Sequence, residues 1–182
     1  MTNQLPLSFR PFFWGGFTAF ALLLLFSAPA VSAQSPGDLD MSFETGSSVD
    51  NRVYAVAAAD DGKVNIGGDF TTVRGAMRNR IARLNRDGTV DTSFDPGAGT
   101  NGSSSRVHSV TLQADSKVLI GGEFTSYNDL DRNRIARLHA DGSLDTGFDP
   151  FIEAVFVSSI AVQVDGKVLL GGLFHQLQRY GA

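Results

Sequence analysis

Asn79-Arg80-Ile81-Ala82-Arg83-Leu84 returns 54 residues later as Asn133-Arg134-Ile135-Ala136-Arg137-Leu138. The same offset carries Asp91-Thr92-Ser93-Phe94-Asp95-Pro96 onto Asp145-Thr146-Gly147-Phe148-Asp149-Pro150, and Gly67-Gly68 onto Gly121-Gly122. Without a gap, residues 53–94 and 107–148 are identical at 22 of 42 positions. A third copy begins 50 residues after the second: Val157-Ser158-Ser159-Ile160 stands over Val107-His108-Ser109-Val110 and Val53-Tyr54-Ala55-Val56, and Gly171-Gly172 over the earlier pairs. The change in period falls wholly in the connectors between Phe94 and Val107 and between Phe148 and Val157. A fixed unit with connectors of variable length is the pattern of a repeat protein whose loops tolerate insertion.

Within the unit the pattern is β. Residues 53–58 form a first short apolar run, and Asp61-Gly62 is a tight hairpin signal because Gly accepts positive φ and Asp tolerates it. A second strand at 63–66 ends at the Gly pair. Phe70 and a polar stretch lead to a third strand at 80–84, and Asp87-Gly88 turns into a fourth at 89–94. Asp141-Gly142 and Asp165-Gly166 repeat the turn chemistry, whereas Asp115-Ser116 departs from it and predicts a strained hairpin or another turn type. No segment after the N-terminal region keeps a 3.6-residue period. Four short strands per unit of about 50 residues is the size of a β-propeller blade. One such sheet cannot bury both its faces, so stacked blades must cover one another. Val64, Ile66, Phe70, Ile81, Leu84 and Phe94 are expected to fill the space between sheets. The Gly pairs are expected where backbones approach closely.

The run Val118-Leu119-Ile120-Gly121-Gly122-Glu123-Phe124-Thr125, the two Asn-Arg-Ile-Ala-Arg-Leu blocks, and Asp141-Gly142-Ser143-Leu144-Asp145-Thr146-Gly147-Phe148 resemble the delta-60 repeat family of bacterial exported proteins. The resemblance covers about residues 37–174. It implies tandem copies forming a β-propeller in extracellular or surface proteins, and it implies no catalytic residues.

The N-terminal region reads as an address. Arg10 is the only charged side chain before Asp38; an apolar run at 12–26 follows, and Ala28-Pro29-Ala30-Val31-Ser32-Ala33 offers small residues for signal-peptidase cleavage. The alternative is an uncleaved anchor, since a bilayer span needs roughly 20 apolar residues. Both place the remainder outside the cytoplasm: exported, and extracellular, periplasmic or at the cell surface of a bacterial envelope.

The organisation expected is therefore 1–33 signal peptide or uncleaved anchor, 34–52 a lone fourth-strand segment and connector, 53–106 repeat 1, 107–156 repeat 2, and 157–182 a partial repeat 3. The lone strand is Gly37-Asp38-Leu39-Asp40-Met41-Ser42-Phe43, which matches residues 88–94. The fold class is all-β: an incomplete propeller-like array of four-stranded blades, two full and others partial, behind an N-terminal signal helix. A closed propeller takes roughly 4–8 blades. The chain thus reads as a truncated or fragmentary member of a larger array, or as a self-associating protein whose exposed blade edge seeks a partner.

With no Cys in 182 residues, disulfides, thiolate metal sites and cysteine nucleophiles are excluded. Fifteen basic against nineteen acidic residues, net −4, argue against a nucleic-acid partner. Several local patterns carry bland readings. Gly97-Ala98-Gly99-Thr100-Asn101-Gly102 fits G-x-G-x-x-G but lies in a connector that leads into a strand rather than a helix, so it reads as a loop. Asp38-Leu39-Asp40, Asp60-Asp61 and Asp129-Leu130-Asp131 lack the spacing of a calcium loop and read as turns. His108, His139 and His175 occupy three different repeat positions, so no converging metal set is expected. Arg78, Arg80 and Arg83, repeated as Arg132, Arg134 and Arg137, are expected to pair with nearby acids and pack their stems on the sheet. Asn101-Gly102-Ser103 is a glycosylation sequon only in a eukaryotic secretory route.

No catalytic, cofactor-binding or metal residue is assigned, and no cofactor is expected. The function expected is a non-enzymatic exported repeat protein acting as a scaffold or interaction surface for a protein or polymer. Membrane contact is expected only through an uncleaved N-terminal segment. The alternatives are an extracellular glycan- or polymer-binding module and an envelope hydrolase or lyase, for which Glu153 and His175 are too few.

Overall fold

A computed structural model of the chain describes residues 49–102 and 104–174. These belong to one unit, Leu39–Ala182. The segment read as a signal peptide or anchor, residues 37–43 expected as a lone strand, Asp38-Leu39-Asp40 and His175 lie outside the described residues.

Repeat 1 supplies β1 (Val53–Ala58), β2 (Val64–Gly68), β3 (Thr72–Val73), β4 (Ala76–Met77) and β5 (Ile81–Leu84). Repeat 2 supplies β6 (Val107–Leu112), β7 (Val118–Gly122), β8 (Ser126–Tyr127), β9 (Leu130–Asp131) and β10 (Ile135–Leu138). The third copy supplies β11 (Ala154–Val162) and β12 (Val168–Phe174). All pairing is antiparallel: β1-β2-β5, β6-β7-β10 and β11-β12 form three successive sheets, and β3-β4 and β8-β9 are small separate hairpins. Among the described residues there is no helix. The architecture is an all-β array of propeller-type blades.

The turn between first and second strands is the same in all three sheets. Gly62 N donates to Ala59 O at 2.9 Å, Ser116 N to Gln113 O at 3.0 Å and Gly166 N to Gln163 O at 2.9 Å. Ser116 thus keeps the turn and adopts φ 65, where Gly62 and Gly166 each take 81. The strain expected at Asp115-Ser116 is present; the different turn is not.

One expectation is corrected. The fourth segment is a single bridge to the third strand, Leu84↔Val90 and Leu138↔Leu144, and not a strand over 89–94. The cause is Asp91: its Oδ1 accepts from Ser93 N at 2.9 Å and from Ser93 Oγ at 2.7 Å. This Asx turn pulls the chain off the ladder and drops Phe94 into the core. The polar stretch after Phe70, to which no element was assigned from the sequence, holds β3-β4. Arg74 and Gly75 at its tip both have positive φ (50 and 77), as do Asn128 and Asp129 in the second repeat, the backbone of the primed hairpin turns.

The sheets lean on one another in sequence order. Between the first two lie Ile81, Phe94, Val107, Val110, Val118, Ile120, Phe124, Tyr127, Ala136 and Leu138, all buried. Between the second and third lie Leu119, Ile135, Val157 and Ile160. On the other face of the first sheet, Ile66, Phe70, Val73, Ala82 and Leu84 form a cluster with Val49 and Val64. Alternation along β7 therefore feeds two cores, because successive strand residues point to opposite faces.

Within each Gly pair the two residues answer different crowding. A Cβ on Gly67 would lie 2.6 Å from Val107 Cγ1 and one on Gly121 2.7 Å from Val157 Cγ1, both on the next blade. A Cβ on Gly68 or Gly122 would instead strike the carbonyl of Arg52 or Arg106, leading into the first strand of its own sheet.

Candidate functional site

The repeated block Asn-Arg-Ile-Ala-Arg-Leu divides its labour by position. Ile81 and Leu84, with Ile135 and Leu138, are core. Asn79 Nδ2 donates to Ala98 O at 2.8 Å and Arg80 Nε to Ser105 O at 2.9 Å, both in the connector to the next blade. Asn133 and Arg134 do the same to Ile152 O and Ala154 O, at 3.0 and 3.3 Å. Each Arg also reaches back to its own blade, Arg80 to Phe70 O and Arg134 to Phe124 O. Holding this posture requires φ 68 at Arg80 and 67 at Arg134. A repeated left-handed residue at a non-Gly position marks strain held by surrounding structure.

The second Arg of the block meets the Asp of the Asx turn. Asp91 Oδ2 accepts from Arg83 Nε at 2.7 Å and from Lys63 Nζ at 2.9 Å; Asp145 Oδ2 accepts from Arg137 Nε at 2.8 Å and lies 3.2 Å from Lys117 Nζ. Burial pulls both carboxyls up, but the hydrogen bonds from Ser93, Lys63 and Arg83 outweigh it at Asp91 and hold it well below its ordinary value. At Asp145 the Lys117 and Arg137 bonds outweigh it and leave the carboxyl at about 2. Arg83 and Arg137 also cover the rings of Phe94 and Phe148, 5.0 and 4.5 Å from their centroids. Arg78 and Arg132 bond the carbonyls of Met77 and Asp131. The expected pairing with acids holds for Arg83, Arg137 and Arg132, the last 3.4 Å from Asp149 Oδ2; Arg78, Arg80 and Arg134 instead bond backbone carbonyls.

Along the first strands the copies differ. Tyr54, His108 and Phe156 form a row of rings, 5.3 and 6.3 Å between successive centroids. The Tyr54 hydroxyl donates to Asp69 Oδ2 at 2.9 Å, and His108 Nε2 lies 2.9 Å from Glu123 Oε1. Asp69 and Glu123 are counterparts in the repeat.

The hairpin tips of neighbouring sheets enclose clefts. The first, about 460 Å³, is lined by Asp60, Asp61, Lys63, Asn65, Arg83, Gln113 and Ser116 among others. The second, about 470 Å³, lies between the β6-β7 and β11-β12 tips. Asn65 is buried, and its Oδ1 has no hydrogen-bond partner; the Oε1 of Gln113, on the opposite wall, has none either. Asn65 stands where the other copies carry Leu119 and Leu169. Reading the repeats for likeness passes over it, but that single departure was the signal available.

The other sequence candidates fall apart in space. Gly97, Gly99 and Gly102 have positive φ in a connector that enters β6, with no helix. Asp61 caps its own hairpin through Lys63 N. Asp129 lies in the β8-β9 turn, where Asn101 Nδ2 donates to it. His139 closes a hairpin through its backbone N to Ser143 O at 2.8 Å, and Glu153 is exposed. Among the described residues no cluster of three His, Asp or Glu is placed to hold a metal ion.

Two stretches, residues 59–94 and 113–148, match the family described as "Domain of unknown function (DUF5122) beta-propeller". They are 54 residues apart, the offset of the internal repeat. Each stretch is similar to that propeller repeat. No curated protein and no solved structure matches it.

Proposed function

We propose that the chain is a non-enzymatic, exported repeat scaffold of the delta-60 type that presents an interaction surface. The observation that carries this reading is where the recurring polar groups go. Asn79, Arg80, Arg83 and Asp91, and Asn133, Arg134, Arg137 and Asp145, are engaged in fixing connectors, caps and ion pairs within and between blades. Groups committed to holding a fold in every copy are poor candidates for acid–base work done once. The export half of the reading rests on the order of Arg10, the apolar run at 12–26 and the small residues before position 34. Fractionation of a bacterial host tests it: the mature protein is expected outside the cytoplasm, shortened to a start at Gln34. Retention of the full-length chain in the cytoplasm contradicts it.

A second reading, binding of an extracellular glycan or other polymer, is favoured by the cleft holding Asn65 and Gln113. Two buried amide oxygens without donors suit a ligand rich in hydroxyl groups. Glycan-array binding that is lost in Asn65→Leu supports it; an array without signal removes it.

A further inference from the structure

The contact between successive blades is built from two unlike halves. One half is a pair of side chains on the first strand: Val107 and Val110 on β6, Val157 and Ile160 on β11. The other is a glycine hollow on the second strand of the preceding sheet. Gly67 lies under Val107 and Val110, and Gly121 lies under Val157 and Ile160. Beside Gly121, Leu119 completes the floor. All four knobs and Leu119 are buried.

Among the described residues the same two halves occur once more, unmatched. Val53 and Val56 occupy the positions of Val107 and Val110, and they are 39% and 66% exposed. Gly171 occupies the position of Gly67 and Gly121, and the nearest atoms a Cβ there would meet all belong to Ser159 of its own sheet. Leu169, the counterpart of buried Leu119, is 53% exposed. A polar feature recurs with them: Ser109 Oγ accepts from Ile160 N of the next sheet at 3.0 Å, and Ser159 carries the same hydroxyl in the equivalent place.

We propose that the Leu169–Gly171 face of one chain receives the Val53–Val56 face of a second copy, head to tail. The occupant follows from continuity with the two contacts inside the chain. The incoming residues are the same valines that fill Gly67, the hollow is the same glycine, and Ser159 meets the backbone N–H of Val56 as Ser109 meets that of Ile160. The two faces differ, so the contact is heterologous: each added chain leaves one of each face open, and assembly proceeds to a ring or a filament. The proposal deepens the scaffold reading by naming the partner, and it is independent of export: loss of assembly with export intact removes the proposal alone.

The test uses the full gene product as the host processes it, with mass measured by sedimentation across a wide concentration range. Val56→Asp and Leu169→Asp each place a charge on one face at an already exposed position, and circular dichroism checks that both fold. The parent is expected to form concentration-dependent oligomers. Each variant alone is expected to require a concentration more than about tenfold higher to associate. An equimolar mixture of the two variants is expected to form dimers and stop there, because it contains one intact contact and no more. A parent that stays monomeric throughout, a single variant that assembles like the parent, or a mixture that stays as dissociated as its components would each overturn the proposal.

Discussion

Gly67 lies under Val107 so closely that a Cβ on it would sit 2.6 Å from Val107 Cγ1 and 2.7 Å from Val110 Cγ2. One hydrogen in place of a methyl lets the first strand of one blade settle on the second strand of the blade before it. The same relation joins Gly121 to Val157 and Ile160.

Gly67→Ala and Gly121→Ala are therefore expected to destabilise the chain by about 1–3 kcal/mol each, the usual cost of overfilling a packed core. In the dissociated chain, below the concentration at which copies associate, Gly171→Ala is the control, since what it meets there is chiefly the Ser159 hydroxyl, which can rotate away. Its cost should stay below about 1 kcal/mol. Urea denaturation midpoints of the three variants check the order; equal costs at Gly67 and Gly171 would refute the interblade origin.

Ser116 holds φ 65 in a turn whose two counterparts are Gly. Left-handed backbone disfavours residues with a Cβ. Ser116→Gly should raise stability by about 0.5–1 kcal/mol, read as a higher denaturation midpoint with unchanged slope. No gain would show that the turn relieves its strain elsewhere.

Asn65→Leu restores the residue found at the other two copies and removes a buried acceptor without a donor. A gain of about 1–2 kcal/mol is expected, since an unmet buried polar atom costs that much. Thermal melts of parent and variant measure it. A loss would show that Asn65 is satisfied by an ordered water that Leu displaces.

Acid should weaken the fold through Asp91 and Asp145. Both are held below the ordinary 3.8 in the folded chain. Their stabilisation is complete above that value and is lost as pH falls from about 4 to below 2. The double variant Asp91→Asn with Asp145→Asn should melt lower than the parent at pH 7, with the gap narrowing as pH falls below 4 and closing only below pH 2, because Asp91 is held lower than Asp145. Parallel melting curves across this range would exclude the two carboxylates as the acid-sensitive groups.

The repeat and its hairpins were legible because identical residues recur at fixed spacing and Asp-Gly turns have a local cause. Gly67-Gly68 was legible as a close approach, but not as two different approaches, because the distinction depends on a neighbour 40 residues away. The fourth strand was misread for a local reason: Thr89-Val90 alternates like a strand, yet the Asp91 side chain captures Ser93 N and ends the pairing after one bridge. The small β3-β4 hairpin was hidden by Arg74, which adopts positive φ without being Gly or Asn. The cleft was illegible from likeness between copies because Asn65 is where they differ.

Nuclear Overhauser contacts from the glycine α-protons to labelled valine and isoleucine methyl groups test the leaning of blade on blade most directly. Cross-peaks are predicted from Gly67 to Val107 and Val110, and from Gly121 to Val157 and Ile160. A well-dispersed spectrum in which both glycines lack these cross-peaks would contradict the stacked-blade architecture.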